Sequence, residues 1–174
     1  MAKLNPAPMG GEKPNTGASV PDTSPFDGVF ALHRYFVWAN YMRTCFDDES
    51  FRRRPNSGKG TTALADKGWI FMSYWYAGLY VVIEGWRELG LADPTVDELL
   101  RSPNVDLLRL YRNGVCHFQQ TYFSHRFDGF VGSEHNPVEW VRELNRQFGR
   151  YFLNWHRRQR GEPDITDQTT PPPV

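Results

Sequence analysis

Apolar residues recur at helical spacing in four long stretches of this chain, separated by shorter polar segments. The first stretch extends from Phe26 to Phe51, and the second is a nearly continuous apolar run that ends at Leu89. The third extends from Val105 to Phe123, and the fourth from Pro137 to Gln159. Because apolar residues at this period line one face of an α-helix, each stretch predicts a long helix.

Local signals predict where two of the helices begin and end. Thr61 or Thr62 is a candidate N-cap for the second helix, and Gly90 is its stop. The segment Asp93-Pro94-Thr95 predicts a short additional helix that continues through Leu100. These signals divide the middle of the chain into a long apolar helix and a short one.

The fourth long helix has the clearest predicted start. Asn136 is a candidate cap, Pro137 occupies the first helical position, and Glu139 is the carboxylate at the third. Residues 125–136 show no helical period and predict a loop. Within the third stretch, Gly114 costs a helix about 1 kcal/mol relative to alanine, which predicts a close packing contact or a bend there.

Four long helices, fairly short connections and the absence of a hairpin signal predict an all-α protein. We expect a four- to five-helix up-and-down bundle over residues 26–160. Residues 1–25 are rich in proline and predict a disordered tail, and residues 161–174 predict a flexible one. The second helix is apolar nearly all round, which predicts burial between helices or across a homodimer interface.

Composition narrows the class of protein. Twenty basic and twenty acidic residues give a formal net charge of zero, so any basic surface for nucleic acid must be local. Cys45 and Cys116 have no CxxC spacing and predict reduced core thiols, which favours a cytoplasmic protein. The membrane-like run from Trp69 to Ile83 is shorter than the roughly 20 residues of a spanning helix, so we expect no membrane partner.

The third predicted helix carries the segment Tyr111-Arg112-Asn113-Gly114-Val115-Cys116-His117. Arginine is a permanent cation that binds phosphate through a planar fork, and histidine moves protons near neutral pH. Asn113 and His117 are four residues apart, which predicts a hydrogen bond between their side chains on one helix face. Arg112 is five residues from His117, so the two converge only across a groove or a subunit interface.

The order Arg112-Asn113, three residues, His117 resembles the R-x(4-6)-H signature of the HEPN superfamily, in which a polar residue usually follows the arginine. The resemblance implies a metal-independent endoribonuclease that cleaves RNA through its 2′-hydroxyl and leaves a 2′,3′-cyclic phosphate. It implies that Arg112, Asn113 and His117 are catalytic and that two motifs meet in a homodimer. It also implies a role in stress response or phage defence.

The resemblance leaves the partner and the activity open. HEPN toxins that pair with nucleotidyltransferase antitoxins usually have tyrosine two residues after the histidine, where this chain has Gln119. This departure from the pattern concerns that toxin subclass and its partner, not the superfamily, so an antitoxin or another protein partner stays an open alternative. The alternative function is a non-catalytic HEPN-like helical module that binds nucleotide, RNA or a protein.

The motif residues also have structural interpretations. Arg112 could pair with Glu84 or Asp106, and His117 could be a satisfied core histidine. Glu84 could support the site by orienting Arg112 or His117, or it could simply face solvent near the end of its helix. Either set of roles is compatible with the spacing.

The fourth helix predicts a row of arginines opposite its apolar face. Such a row could follow an RNA backbone, or it could be an ordinary solvated face. Its members are Arg142, Arg146, Arg150 and Arg157. The other histidines form no ligand pair at metal-binding spacing, so we expect no metal and no other cofactor. These histidines are His33, His125, His135 and His156.

Overall fold

The computed structural model describes residues 25–52, 66–121 and 124–165 of the chain. Over these ranges the chain forms six α-helices and no β-strand. The prediction of an all-α helical bundle is confirmed. The helices are α1 (Pro25–Arg52), α2 (Lys67–Glu88), α3 (Pro94–Leu99), α4 (Asn104–Cys116), α5 (His125–Val131) and α6 (Pro137–Gln159).

Helices α1 and α2 approach each other closely at Ala39 and Gly78. A Cβ atom built on Gly78 would lie only 2.9 Å from the Cβ of Ala39. The two helices therefore approach to nearly backbone distance, which only glycine at this position permits without displacement. Around this contact, α2 buries most of its length against α1 and α4.

The core is built largely from aromatic and branched side chains of α2, α4 and α6. Burying each such side chain stabilises the fold by about 1.5–3 kcal/mol. The fully buried members include Trp75, Leu79, Ile83, Trp86, Leu108, Tyr111, Leu144 and Phe148. Most apolar residues of α2 are thus buried within a single chain, although Ile70 and Tyr74 remain exposed.

The start of α2 differs from the expectation, while its end agrees with it. The helix begins at Lys67, and the carboxylate of Asp66 caps it by accepting a hydrogen bond from the N–H of Gly68 at 2.9 Å. The predicted caps Thr61 and Thr62 lie outside the described residues. Gly90 adopts a left-handed backbone, with φ of 60°, just after the helix, as expected of a helix stop.

The predicted short helix and the predicted fourth long helix are both present. Asp93 caps α3 by accepting hydrogen bonds from the N–H groups of Thr95 and Val96. Helix α6 begins at Pro137, but the expected side-chain cap from Asn136 is wrong. Asn136 instead has a left-handed backbone, with φ of 47°, and its side chain makes no capping bond. Asparagine tolerates this left-handed conformation better than most residues, which makes it suitable for the position directly before α6.

The prediction that the third long helix reaches Phe123 is wrong. Helix α4 ends at Cys116, and His117 has an extended backbone with φ of −123° and ψ of 140°. The Gln119 amide donates to the carbonyl oxygens of His117 at 2.7 Å and Asn113 at 3.3 Å, which satisfies carbonyls at the helix end. The chain therefore leaves the helix immediately after the motif.

The prediction of a loop over residues 125–136 is also wrong in its first half. Ser124 accepts a hydrogen bond from the N–H of Arg126 and caps α5. Phe127 of this helix packs against Gly114, where an added Cβ would lie 3.1 Å from the ring. The close contact predicted at Gly114 is confirmed, because α5 lies directly against α4.

Most of the two predicted tails lies outside the described residues. The described part of the second tail, residues 161–165, returns to α6: the N–H of Ile165 donates to the side chain of Asn154 at 2.8 Å. Arg158 forms an ion pair with Asp164 in the same segment. None of the helices in the described ranges has the length and apolar character needed to cross a bilayer.

Candidate functional site

The motif lies where the end of α4 packs against α2. Tyr111 anchors it, because this side chain is fully buried and its hydroxyl lies 2.9 Å from the hydroxyl of Ser73. Burial raises the pKa of Tyr111 to about 12, although the hydrogen bond with Ser73 partly offsets this effect. With Tyr111 and Gly114 facing inward, Arg112 and Asn113 lie at the rim of the seam.

Arg112 is held from three sides. Its Nη2 donates to both carboxylate oxygens of Glu84 at 2.5 Å, and its Nη1 donates to the Oδ1 of Asn113 at 3.1 Å. Its Cζ lies 5.2 Å from the centre of the Tyr80 ring, within the range of a cation–π interaction. The predicted contact between Glu84 and Arg112 is present, whereas Asp106 pairs with Arg109 instead. Glu84 therefore orients Arg112.

The Arg112 guanidinium keeps one unsatisfied group. Its Nε–H is buried and has no hydrogen-bond partner within the described residues. A buried donor without an acceptor costs about 1–3 kcal/mol, so such groups call for a reason such as a catalytic role or an absent ligand. The guanidinium is thus fixed in direction but not fully satisfied by the protein.

Tyr80 completes the environment of Arg112. Burial first, and the nearby carboxylate of Glu84 second, raise the pKa of Tyr80, while neighbouring arginines oppose the shift. The phenol is therefore protonated at neutral pH and adds no negative charge. The side chains of Arg112 and Glu84, which form the ion pair beside Tyr80, are 21% and 43% exposed.

His117 occupies a different environment from the one predicted. The expected hydrogen bond between the side chains of Asn113 and His117 is absent, because Asn113 Oδ1 accepts from Arg112 and the helix has already ended. The two residues are joined only through the backbone, His117 N–H to Asn113 O, at 3.2 Å. His117 is exposed, so the core-histidine interpretation is wrong. Within the described residues its imidazole has no hydrogen-bond partner, which leaves it accessible for proton transfer.

An apolar groove between α1 and α2 adjoins the motif at Cys116. The groove has a volume of about 480 Å³. Its lining residues are Tyr35, Trp38, Ala39, Met42, Tyr74, Ala77, Gly78, Val81 and Cys116. Trp38 and Tyr74 are each more than half exposed. Exposed apolar surface of this kind marks sites of association.

The groove was missed by sequence reasoning, which also misplaced one cysteine. Cys116 is exposed rather than a core thiol, and Cys45 is partly buried; both are free. The available signal was in α1, where Tyr35 and Trp38 lie off the buried stripe formed by Leu32, Phe36 and Ala39. Aromatic residues on the polar side of an amphipathic helix indicate a surface that is not simply solvated.

The predicted arginine row on α6 is paired with carboxylates throughout. The pairs are Arg142 with Asp47 at 2.8 Å, Arg146 with Glu143 at 2.7 Å, Arg150 with Asp93 at 2.6 Å and Arg157 with Glu162 at 3.4 Å. Burial alone would raise the pKa of Asp93, but hydrogen bonds from Arg150 and the start of α3 keep it below its ordinary value. Arg150 is therefore a partly buried link between α6 and α3.

The remaining histidines include one close pair. His33 of α1 and His156 of α6 face each other with Nδ1 and Nε2 2.9 Å apart. Among the residues that the structure describes, no three histidine, cysteine or carboxylate side chains come together as a metal site would require.

Comparisons of the chain with family models, with characterised proteins and with solved structures each found no match.

Proposed function

We propose that this protein is a HEPN-like, metal-independent endoribonuclease that cleaves RNA by attack of a 2′-hydroxyl on the adjacent phosphate. The observation that carries the proposal is an oriented arginine and an exposed histidine at the end of one helix. Arg112 is fixed by Glu84 and Asn113, and His117 follows five residues later with its imidazole accessible. The cation would stabilise the negative charge of the phosphorane, and the imidazole would transfer protons.

When phosphate binds, Arg112 must either leave Glu84 or bind both Glu84 and the phosphate. Because both side chains are partly exposed, the pair is worth only about 0–1 kcal/mol. A phosphate oxygen can therefore compete for Arg112 at small cost. Glu84 acts in this proposal as a positioning residue that presents the guanidinium without blocking it.

A complete reaction needs both a base for the 2′-hydroxyl and an acid for the leaving oxygen. One His117 supplies one of these, so we propose a homodimer in which each copy contributes a motif. The apolar groove supports this arrangement, because Cys116, the residue directly before His117, is part of its lining. The proposed contact thus uses α1 and α2 with the end of α4 at its edge.

The wider biological role is proposed by analogy alone. We propose that RNA is the substrate, that arginines of the α6 row contact its backbone, and that the protein acts in the cytoplasm in stress response or phage defence. Arg142 and Arg157 remain partly exposed beside their carboxylate partners, which leaves donors for phosphate. An antitoxin or another protein partner belongs to the same analogy.

The direct test is cleavage of single-stranded RNA in excess EDTA, with the product ends identified by mass spectrometry. The wild type is expected to leave 2′,3′-cyclic phosphates. His117→Ala and Arg112→Ala are expected to lose about a hundred- to a thousandfold in rate, as when one transition-state contact is removed. The matched controls are His135→Ala and Arg109→Ala, which alter an exposed histidine and an exposed arginine of α4.

Two results would contradict the proposal. One is an equal loss of rate in the control variants, which would show that the loss is not specific to the motif. The other is cleavage that needs a metal or leaves 5′-phosphate ends, which would remove the role given to His117. Circular dichroism of each variant establishes that the fold is retained.

A second candidate function is a non-catalytic helical module. The closed ion pair between Arg112 and Glu84 favours it, because a paired arginine is also what a purely structural seam requires. Such a module would bind nucleotide, RNA or a protein partner, with the apolar groove as the natural surface for a protein. Binding of RNA without any cleavage by the wild type would favour this function over the first.

A further inference from the structure

A second concave site lies between α1 and α6, whereas the motif lies between α2 and α4. This α1–α6 pocket has a volume of about 370 Å³, which is in the size range of small-molecule sites. Phe36 forms part of its wall, and its polar lining consists of Asn40, Arg43, Arg142, Asn145 and Arg146. Neither of the proposed functions uses this combination of residues.

A chain of hydrogen bonds that starts in the core determines how the pocket amides are oriented. The indole N–H of the buried Trp75 can only donate, and it bonds the Oδ1 of Asn145 at 2.9 Å. The Nδ2 of Asn145 must then be the atom that donates to Asn40 Oδ1, also at 2.9 Å. Arg43 Nε donates to the same oxygen of Asn40. Asn40 therefore keeps its oxygen inside the network and has its Nδ2 left over as a donor.

Two arginines at the pocket share one carboxylate. Asp47 accepts from Arg43 Nη1 at 2.5 Å through one oxygen and from Arg142 Nη2 at 2.8 Å through the other. Arg142 is further held by its guanidinium lying 5.5 Å from the ring centre of Trp75. Arg43 Nη2 and the Nε and Nη1 of Arg142 have no acceptor within the described residues, so both arginines are oriented and retain N–H groups for a ligand.

The pocket therefore presents donors and a net positive charge. Arg43 and Arg142 carry two positive charges beside the single carboxylate of Asp47, which both of them already engage. A ligand that accepts several hydrogen bonds and carries negative charge fits this lining, and fork-shaped arginines suit phosphate in particular. The volume exceeds what a bare phosphate needs and leaves room for an attached group.

We propose that the α1–α6 pocket binds a phosphate group, carried either by a free phosphorylated small molecule or by an RNA strand. Asn40, Arg43 and Arg142 are its donors. The Trp75–Asn145 pair acts as a positioning element that keeps the Asn40 amide directed as a donor. The proposal is independent of cleavage by Arg112 and His117.

The test measures binding of three probes to the full chain by isothermal titration calorimetry: inorganic phosphate, adenosine monophosphate and a short single-stranded RNA. Asn40→Asp is the sharpest variant, because it keeps size and the oxygen that accepts from Asn145 and Arg43 but replaces the free donor with a negative oxygen. Asn40→Asp and Arg142→Gln are expected to weaken binding about tenfold or more. The control Arg158→Gln alters an exposed, paired arginine near the end of α6 and should leave binding unchanged.

Each outcome decides the matter. If inorganic phosphate or adenosine monophosphate binds and Asn40→Asp weakens this binding, the ligand is a free phosphorylated molecule. If only the RNA binds and Asn40→Asp weakens its binding, the ligand is an RNA strand. Absence of binding by all three probes overturns the proposal, as does binding that both pocket variants leave intact. If thermal unfolding shows that Asn40→Asp has lost its fold, Arg43→Gln takes its place with the same expected loss.

Discussion

Replacing Gly78 with alanine is expected to destabilise this protein, even though alanine is the better helix former. Gly78 lies in α2 where this helix meets α1, and a Cβ at this position would lie 2.9 Å from the Cβ of Ala39 and 3.4 Å from its Cα. Neither atom can be moved by a change of rotamer. The helices must therefore separate slightly, at the cost of packing contacts between α1 and α2.

The expected magnitude follows from two opposing effects. Alanine in place of a helical glycine gains about 1 kcal/mol of helix propensity. Overpacking of a close contact costs about 1–3 kcal/mol, and we expect about 2–3 here because the clashing atoms are rigid. The free energy of unfolding should therefore decrease by about 1–2 kcal/mol.

Urea unfolding followed by far-ultraviolet circular dichroism, at one protein concentration, measures this change. The matched control is Gly129→Ala in α5, where an added Cβ meets nothing within 4 Å, so stability should stay the same or rise by up to about 1 kcal/mol. Adding Ala39→Gly to Gly78→Ala removes the facing methyl group and should recover part of the loss as a favourable coupling energy.

Two results would refute the reasoning about the α1–α2 contact. Gly78→Ala could prove as stable as Gly129→Ala, which would mean that the helices separate without cost. Alternatively, the double variant could show no coupling between positions 39 and 78. Either result would remove the close approach as a determinant of stability.

The remaining predictions concern pH and association. Burial, and secondarily the neighbouring His156, lower the pKa of His33, so the unfolded chain binds this proton more readily than the folded one. Stability should therefore fall as the pH drops below the ordinary value of 6.5, and His33→Gln should flatten this slope in urea unfolding whereas His135→Gln should not. In analytical ultracentrifugation at micromolar concentration we expect a dimer that Trp38→Lys dissociates and Val37→Lys, outside the groove, does not; a wild-type monomer would contradict the proposed composite site.

Helix type and the main helix positions were predictable because they depend on local interactions. Helix α6 illustrates this, since Pro137 occupies its first turn and Leu144, Phe148 and Phe152 repeat at helical spacing. Such a pattern buries one face in any compact fold. Helix α5 was also within reach, because Ser124 and Gly132 bound it as a cap and a stop, but its seven residues are too few for a clear apolar period.

The end of α4, by contrast, was decided by tertiary packing. The periodic pattern continues beyond Cys116, so sequence alone extends the helix and places His117 on the same face as Asn113. In the structure, Phe127 occupies the space beside Gly114 and Gln119 binds the last carbonyls. These contacts form only once the chain has turned away from the helix after Cys116. The helix propensities of the individual residues therefore could not reveal them.

Sequence by itself determined which residues carry charge and which helices hold them; only the tertiary structure decided their partners. Arg112 pairs with Glu84 across 28 positions, Arg150 with Asp93 across 57, and Arg142 with Asp47 across 95. Electrostatic attraction falls with distance and is screened by salt, so a cation's availability depends on the carboxylate that folding brings beside it. Which carboxylate lies beside each arginine depends on how the apolar faces of the helices pack against one another.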